Sequence, residues 1–264
     1  MLETLYNKLE NALIKRGSHP QPLGYQKPKD LDHIQKYPLS ALSLTEIPRV
    51  PMSMGIDWYS NFDQPEAVQF GSLTRYFVGR GKLGRIRGGH CVCIKSGNFS
   101  DRLQWWDFYD QGAEGACVGF GNSRMMTLMN RVRYNPWWLW DHCKIIDEWA
   151  DTNPGDDNGT SDHAAADVMR TQGMVKWDNS MGSLSWQERD AIIPDPAAGI
   201  AAARWAQSVD EIRDVLQSSL NDQLQAIPFL NSWGRYYPHI TWMPYIVVEK
   251  LIDDGGEFLV PTDR

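Results

Sequence analysis

The sequence predicts an α+β fold, in which a layer of helices packs beside an antiparallel sheet with a cleft between them. Helical patterns dominate residues 105–220, whereas strand patterns fall into two separate stretches, residues 48–104 and 221–264. Segregation of helices and strands along a chain is typical of α+β architecture and not of alternating βα units. A chain of 264 residues is long enough for one domain or for two small subdomains around a shared cleft.

Individual elements follow from local patterns. Apolar runs bounded by glycine predict strands, apolar residues at helical spacing predict helices, and Pro136, Gly173 and the Ser208–Glu211 pair mark helix ends. The glycine-rich stretch between the first two strands predicts a loop or hairpin. The predicted strands are 50–57, 89–94, 225–231, 239–243 and 257–261, and the predicted helices are 117–131, 136–150, 162–171, one that begins at Ser208, and 244–253.

The N-terminal region, residues 1–34, is predicted to be a helix and connector that precede the main domain at residues 35–264. Leucines recur at helical spacing in residues 2–15, which predicts an amphipathic helix. Residues 17–32 are rich in proline and glycine and predict an irregular connector. Such a helix packs on the body, docks on a partner or belongs to an inhibitory segment, and the pattern leaves all three open.

Composition and charge exclude several classes of partner. The chain is 42% hydrophobic with a formal net charge of -7, and it has no cluster of lysine and arginine. We therefore expect no nucleic-acid partner and no anionic membrane. No apolar run is long enough to span a membrane, and the polar N-terminus does not resemble a signal peptide. Four cysteines in a chain of this length indicate a reducing compartment and not a disulfide framework.

Cys117 is the candidate nucleophile. It follows a glycine-containing loop and opens a predicted helix, where backbone amides and the helix dipole lower the pKa of a thiol. Gln111, six residues earlier, supplies a side-chain amide that can hold an oxyanion together with the backbone N–H of Cys117. The alternative for a lone cysteine is a buried structural role.

Three motifs resemble the papain-like cysteine peptidases. The segment from Gln111 to Cys117 is similar to the one that precedes the central helix of that family, and Asn231 to Gly234 reads Asn-Ser-Trp-Gly as the family does. The segment from Gly89 to Val92 matches the family's histidine, which follows a glycine-rich turn and opens a strand. The sequence Glu114 to Val118 departs from the usual Cys-Gly-Ser-Cys-Trp and resembles the bacterial and phage branch.

The resemblance implies a papain-like fold and hydrolysis of peptide bonds through a thioester acyl-enzyme. Cys117 would be the nucleophile, His90 the general base, Asn231 the residue that orients the imidazole, and Gln111 the oxyanion donor. Trp233 would shield the histidine–asparagine bond and, with Gly115, contact substrate. The resemblance implies a peptide or protein substrate, no cofactor and no metal. It also implies a cytoplasmic or virion-associated protein, whose N-terminal helix contacts a phage partner or another copy.

The order of the motifs departs from that family, which runs cysteine, histidine, asparagine. Here the stretch from about Val50 to Gln104, which carries His90, precedes the cysteine loop. We interpret this order as the transposition of a segment, and the sequence Asp-x-Leu-Gln recurs near both junctions, at 101–104 and 222–225. Antiparallel strands can be reconnected where their ends lie close, so the triad can still assemble.

Other histidines and acidic residues offer weaker alternatives. His163 follows Asp162 and is a second candidate base, although the alanines after it favour a helix. His142, Cys143 and His239 are expected to be structural.

Metal sites are not favoured by the spacing of the candidate ligands. His90 and Cys91 would point to opposite faces of a strand, which disfavours one metal ion bound by His90, Cys91 and Cys93 together. The loop that carries Asp151, Asp156, Asp157 and Asp162 lacks the alternating pattern of a calcium loop.

Two other functions remain open at this level. One is a catalytically silent scaffold of the same fold, for example a component of a phage particle. The other is a transglutaminase- or amidase-type acyl transfer at the same site.

Overall fold

The computed structural model describes residues 24–29, 32–96, 109–149 and 153–262. The predicted helix at 2–15 and the first Asp-x-Leu-Gln sequence at 101–104 lie outside these residues.

A single mixed sheet forms the centre of the described chain. The strands are β1 (Met52–Tyr59), β2 (Glu66–Phe70), β3 (Leu73–Phe77), β4 (Ile86–Ile94), β5 (Ala202–Trp205), β6 (Ala226–Leu230), β7 (Thr241–Pro244) and β8 (Glu257–Thr262). Their order in the sheet is β2-β3-β7-β6-β4-β1-β8-β5, and every neighbouring pair is antiparallel except β3 and β7. Strand β4, which carries His90, therefore lies between β1 and β6.

Helices pack against this sheet, and polar side chains cap several of their N-termini. The Asn135 side chain accepts hydrogen bonds from the Trp137 and Trp138 amides, and the Ser161 hydroxyl accepts one from the Ala164 amide. The helices are α1 (Asp32–Lys36), α2 (Cys117–Asn130), α3 (Pro136–Ile146), α4 (Asp162–Thr171), α5 (Trp186–Asp190), α6 (Val209–Leu216), α7 (Ser219–Leu224) and α8 (Tyr245–Asp253). No helix in these ranges is both long enough and apolar enough to cross a membrane.

The sheet separates two apolar cores. Strand β1 alternates so that Met52, Met54 and Trp58 enter one core, which α6 and α8 complete. Strand β4 sends Cys91 and Cys93 to the other core, which α2, α3 and α4 complete. The predicted α+β class, with a helical layer packed on a largely antiparallel sheet, is confirmed.

The glycine-rich stretch holds the hairpin of β2 and β3, one of the two forms that the sequence predicts. Other details differ from the prediction, and α3 ends at Ile146 instead of residue 150. Strand β5 was not predicted because its four residues gain strand structure by pairing with β8. Ser208 caps α6 as predicted, but the Glu211 side chain accepts from the Gln207 amide and not from the Ser208 amide.

Candidate active site

Cys117 is the first residue of α2, and its side chain is completely buried. Burial raises the pKa of its thiol to about 12, and this effect exceeds the opposing effect of hydrogen bonds from the backbone amides of Cys91 and Val118. The expectation of a lowered thiol pKa was therefore wrong for this structure. The helix terminus favours the thiolate, but the loss of solvent outweighs it.

His90 and Asn231 are in direct contact, as their motifs predicted. The Nε2 atom of His90 lies 2.8 Å from the Oδ1 atom of Asn231, and the His90 ring is fully buried. An amide oxygen only accepts, so the geometry assigns the proton of the neutral ring to Nε2. Its Nδ1 atom has no hydrogen-bond partner among the described residues. Burial lowers the pKa of His90 to about 4, which keeps the ring neutral near pH 7.

Two tryptophans enclose the imidazole. The Trp233 ring lies tilted over His90 with centroids 5.0 Å apart, and the Trp58 ring meets His90 edge-on at 4.6 Å. Trp233 is 7% exposed, so it contacts the histidine from within the fold. The sequence did not predict Trp58 as a residue of the site, because Trp58 lies on β1 outside any recognisable motif.

The cysteine loop is tied to the asparagine loop through the backbone. The Gln111 amide donates to the Ser232 carbonyl, and the Gly234 amide donates to the Tyr109 carbonyl, both at 2.9 Å. The Gln111 side chain is turned within its own loop, where Nε2 donates to the Glu114 carbonyl at 2.9 Å. These contacts fix the two loops relative to each other, although the chain between them is long.

The strand that carries His90 also contacts the candidate nucleophile. The backbone amide of Cys91, the residue after His90, lies close enough to the Cys117 thiol to oppose the rise in its pKa. The register of β4 with β6 pairs Cys93 with Leu230, immediately before Asn231. Strand β4 thus brings the histidine beside the asparagine and the following amide beside the thiol.

The chain covers its own cysteine with residues 24–26. A Cβ atom added at Gly24 would lie 3.0 Å from the Cys117 Sγ atom and 2.0 Å from the Gly115 carbonyl oxygen. The Thr160 amide donates to the Gly24 carbonyl at 2.6 Å, and the Gln26 amide donates to the Thr160 carbonyl at 2.8 Å. This segment, which we term the covering segment, therefore lies over the thiol as a peptide paired through its backbone.

Gly115, predicted to contact substrate, lies beneath the covering segment. Its amide donates to the Asp157 side chain, and its carbonyl oxygen faces Gly24. That hydrogen bond occupies the carboxylate of Asp157, one of the acids of the loop considered for calcium. Asp162, another of these acids, is buried at the start of α4. Within the ranges that the structure describes, no group of three or more histidine, cysteine or acidic side chains is arranged to hold a metal.

The alternative histidines lie in other surroundings. His163 is on the surface of α4, with its Nε2 atom 3.6 Å from the Asp167 carboxylate. His142 stacks on Trp138 with centroids 4.0 Å apart and contacts Asp190. Burial, together with nearby Arg124 and Lys95, lowers the pKa of His239 to about 4. None of these contacts involves Cys117.

No family model matches the chain. No curated protein matches it either. Among solved structures, the fold is similar to xylellain, a cysteine protease from Xylella fastidiosa, with a TM-score of 0.49 and 11% sequence identity. The similarity covers 94% of this chain and 98% of that chain.

Proposed function

We propose that the protein is a cysteine peptidase with a papain-like site, which hydrolyses peptide bonds through a thioester intermediate. Cys117 is the nucleophile, His90 is the general base, and Asn231 orients the imidazole. One observation carries this proposal. The Asn231 amide oxygen takes the Nε2 side of His90, which leaves the Nδ1 atom, buried and without a partner in the described chain, as the ring nitrogen that is free to accept a proton.

The reaction uses these groups in turn. Nδ1 of His90 accepts the thiol proton, and the thiolate of Cys117 attacks the peptide carbonyl carbon. The oxyanion is held by the backbone N–H of Cys117 and by the side-chain amide of Gln111, whose Nε2 has a second hydrogen beyond the one given to Glu114. His90 then protonates the leaving amine. It next takes a proton from water, which attacks the thioester and releases Cys117.

The structure corresponds to a covered form of this enzyme. Burial raises the thiol pKa and lowers the imidazole pKa, so both groups are neutral near pH 7. Departure of the covering segment would admit water and shift both pKa values towards the thiolate–imidazolium pair. We therefore assign an inhibitory role to the covering segment.

The unusual order of the motifs is compatible with this proposal. We interpret the histidine segment as transposed ahead of the cysteine loop. The position of β4, between β1 and β6, supports this interpretation, because it places His90 beside Asn231 although their strands come from distant parts of the chain.

The test is intact-mass analysis after incubation with a peptidyl epoxide. We expect a single adduct that is lost in Cys117→Ala and retained in Cys143→Ala, another buried cysteine of the helical core. His90→Ala is expected to slow labelling by about a hundredfold or more, whereas His142→Ala, a buried histidine outside the site, should not. Labelling spread over several cysteines and indifferent to His90→Ala would contradict the proposal.

A non-catalytic scaffold is the second candidate function. The covering segment favours it, since Gly24 occupies the space in front of the Cys117 thiol and the thiol is buried. A scaffold would show no adduct at Cys117 even in a variant that displaces the covering segment. A peptidase would be labelled faster in that variant.

A further inference from the structure

One peptide unit of the cysteine loop is held by a hydrogen bond at each of its two ends. This unit joins Glu114 to Gly115, two residues before Cys117. Its carbonyl oxygen accepts from the Nε2 atom of Gln111 at 2.9 Å, and its N–H donates to the Asp157 carboxylate. Because the C=O and N–H of a trans peptide point in opposite directions, Gln111 and Asp157 contact this unit from opposite sides.

The Gln111 side chain depends on this peptide unit for its direction. The side chain is buried, and its Oε1 atom has no hydrogen-bond partner among the described residues. Within those residues, the bond to the Glu114 carbonyl is therefore the hydrogen bond that orients the amide. If the peptide unit rotated, its carbonyl would turn away from Gln111, and the second N–H of Gln111 would no longer be aimed at an oxyanion.

Asp157 is held in turn by side chains of α3. The backbone carbonyls of its two neighbours both accept hydrogen bonds from this helix. The Nζ atom of Lys144 donates to the Asp156 carbonyl at 2.6 Å, and the Nε1 atom of Trp140 donates to the Asn158 carbonyl at 2.9 Å. The Lys144 side chain is completely buried, and its Nζ atom lies 3.6 Å from the centre of the Trp140 ring. The backbone on both sides of Asp157 is therefore fixed to the helical layer.

The charge of Asp157 and the small size of Gly115 strengthen the contact between them. A carboxylate accepts a stronger hydrogen bond than a neutral oxygen does. It also polarises the peptide unit, so that the Glu114 carbonyl becomes a better acceptor for the Gln111 amide. A Cβ atom added at Gly115 would lie 3.0 Å from the Asp157 carbonyl oxygen, so glycine permits the close approach of the two segments.

We infer that Asp157 is a positioning residue of the oxyanion site, which acts on the reaction through the Glu114–Gly115 peptide unit and Gln111. The inference rests on the proposed function, because Gln111 is an oxyanion donor only if Cys117 forms a tetrahedral intermediate with a substrate. Asp157 does not touch the substrate in this scheme. It holds the peptide unit that aims the second N–H of Gln111.

The experiment compares two reactions of Cys117 in the full chain. One is the hydrolysis of fluorescein-labelled, unfolded casein, which passes through a tetrahedral oxyanion and presents every common side chain to the enzyme. The other is alkylation of Cys117 by iodoacetamide, followed by mass spectrometry, in which the thiolate displaces iodide and no tetrahedral oxyanion forms. Both reactions require the covering segment to leave, so the ratio of the hydrolysis rate to the alkylation rate reports the oxyanion site.

We expect Gln111→Ala to lower this ratio about a hundredfold and Asp157→Ala to lower it about tenfold. The double variant should have the same ratio as Gln111→Ala alone, since Asp157 acts through Gln111. Asp157→Asn should retain most of the wild-type ratio, because its amide oxygen can still accept from the Gly115 amide. Asp156→Ala, at the exposed neighbouring acid, is the matched control and should leave the ratio unchanged.

Three results would overturn the inference while leaving a working peptidase. They are a wild-type ratio in Asp157→Ala, equal slowing of hydrolysis and alkylation in that variant, and losses that add in the double variant. Equal slowing of both reactions would show that Asp157 only stabilises the loop. A wild-type protein that does not hydrolyse casein would overturn the proposed function, and the inference with it.

Discussion

The Nε2 atom of His90 and the Oδ1 atom of Asn231 lie 2.8 Å apart, although 141 residues separate them along the chain. The hydrogen bond selects one tautomer of a neutral imidazole and fixes the plane of its ring. Trp233 and Trp58 pack against the same ring, so its rotation is limited on two sides. Asn231 therefore helps to fix the direction in which the Nδ1 atom of His90 points.

Asn231→Ala tests the orienting role. Loss of the amide oxygen frees Nε2 and lets the proton move to Nδ1, where it would block proton transfer from the thiol. We expect epoxide labelling of Cys117 to slow by about tenfold or more. Asn221→Ala, at another buried asparagine, is the matched control and should label at the original rate. Equal rates in both variants would show that Asn231 has only a structural role.

The residues with local motifs were predictable from the sequence, and the residues without them were not. Cys117 is marked by its loop and helix start, and Asn231 by the residues that follow it. Tyr25 lies in a proline- and glycine-rich stretch, where no periodicity predicts burial, and it is buried by packing into the helical core. The sequence places Glu257 in the predicted last strand, but it does not reveal that Asp162 lies beside this residue.

The prediction of a lowered pKa for the Cys117 thiol was wrong because the local sequence reveals the helix terminus but not the segment that covers the thiol.

Gly24→Ala is predicted to displace the covering segment. The new Cβ atom would overlap the Gly115 carbonyl oxygen at 2.0 Å, and the φ angle of +146° at Gly24 is one that alanine rarely adopts. Overlap of this kind costs about 1–3 kcal/mol, so we expect labelling of Cys117 to accelerate about tenfold. Hydrogen–deuterium exchange of residues 24–29 should increase in parallel.

Gly81→Ala is the control for this change. It also places alanine at a positive φ angle, +91°, but nothing lies within 4 Å of the added carbon. A similar acceleration in both variants would mean that general loosening, and not release of the covering segment, exposes the thiol.

The buried pair of acids, Asp162 and Glu257, predicts a dependence of stability on pH. The folded-state pKa of Glu257, about 8, is above its usual value of 4.5, so the folded state binds the proton more tightly than the unfolded state. This stabilisation is full below pH 4.5 and is lost as the pH rises through 8. Replacement by glutamine removes the ionisation, so Glu257→Gln should gain ~1 kcal/mol or more relative to the wild type between pH 5 and pH 9.

Thermal unfolding of both proteins at several pH values measures this difference. Glu249→Gln, at an exposed position of α8, should follow the wild-type curve throughout. A constant offset between Glu257→Gln and the wild type across the range would show that the Glu257 carboxyl does not titrate differently in the folded state.

Trp58 is predicted to keep the imidazole dry as well as in place. It is fully buried and meets four rings edge-on, those of Phe62, His90, Phe229 and Trp233. Trp58→Ala should cost ~3–5 kcal/mol of stability through the cavity that it leaves. Water in that cavity should raise the pKa of His90 from about 4 towards 6.5, which NMR of the ring proton on Cε1 would report.

Trp138→Ala, in the opposite core, is the control, and it should destabilise the fold by a similar amount without moving the His90 pKa. If both variants shifted that pKa equally, global loosening would explain the change and the contact of Trp58 with His90 would not.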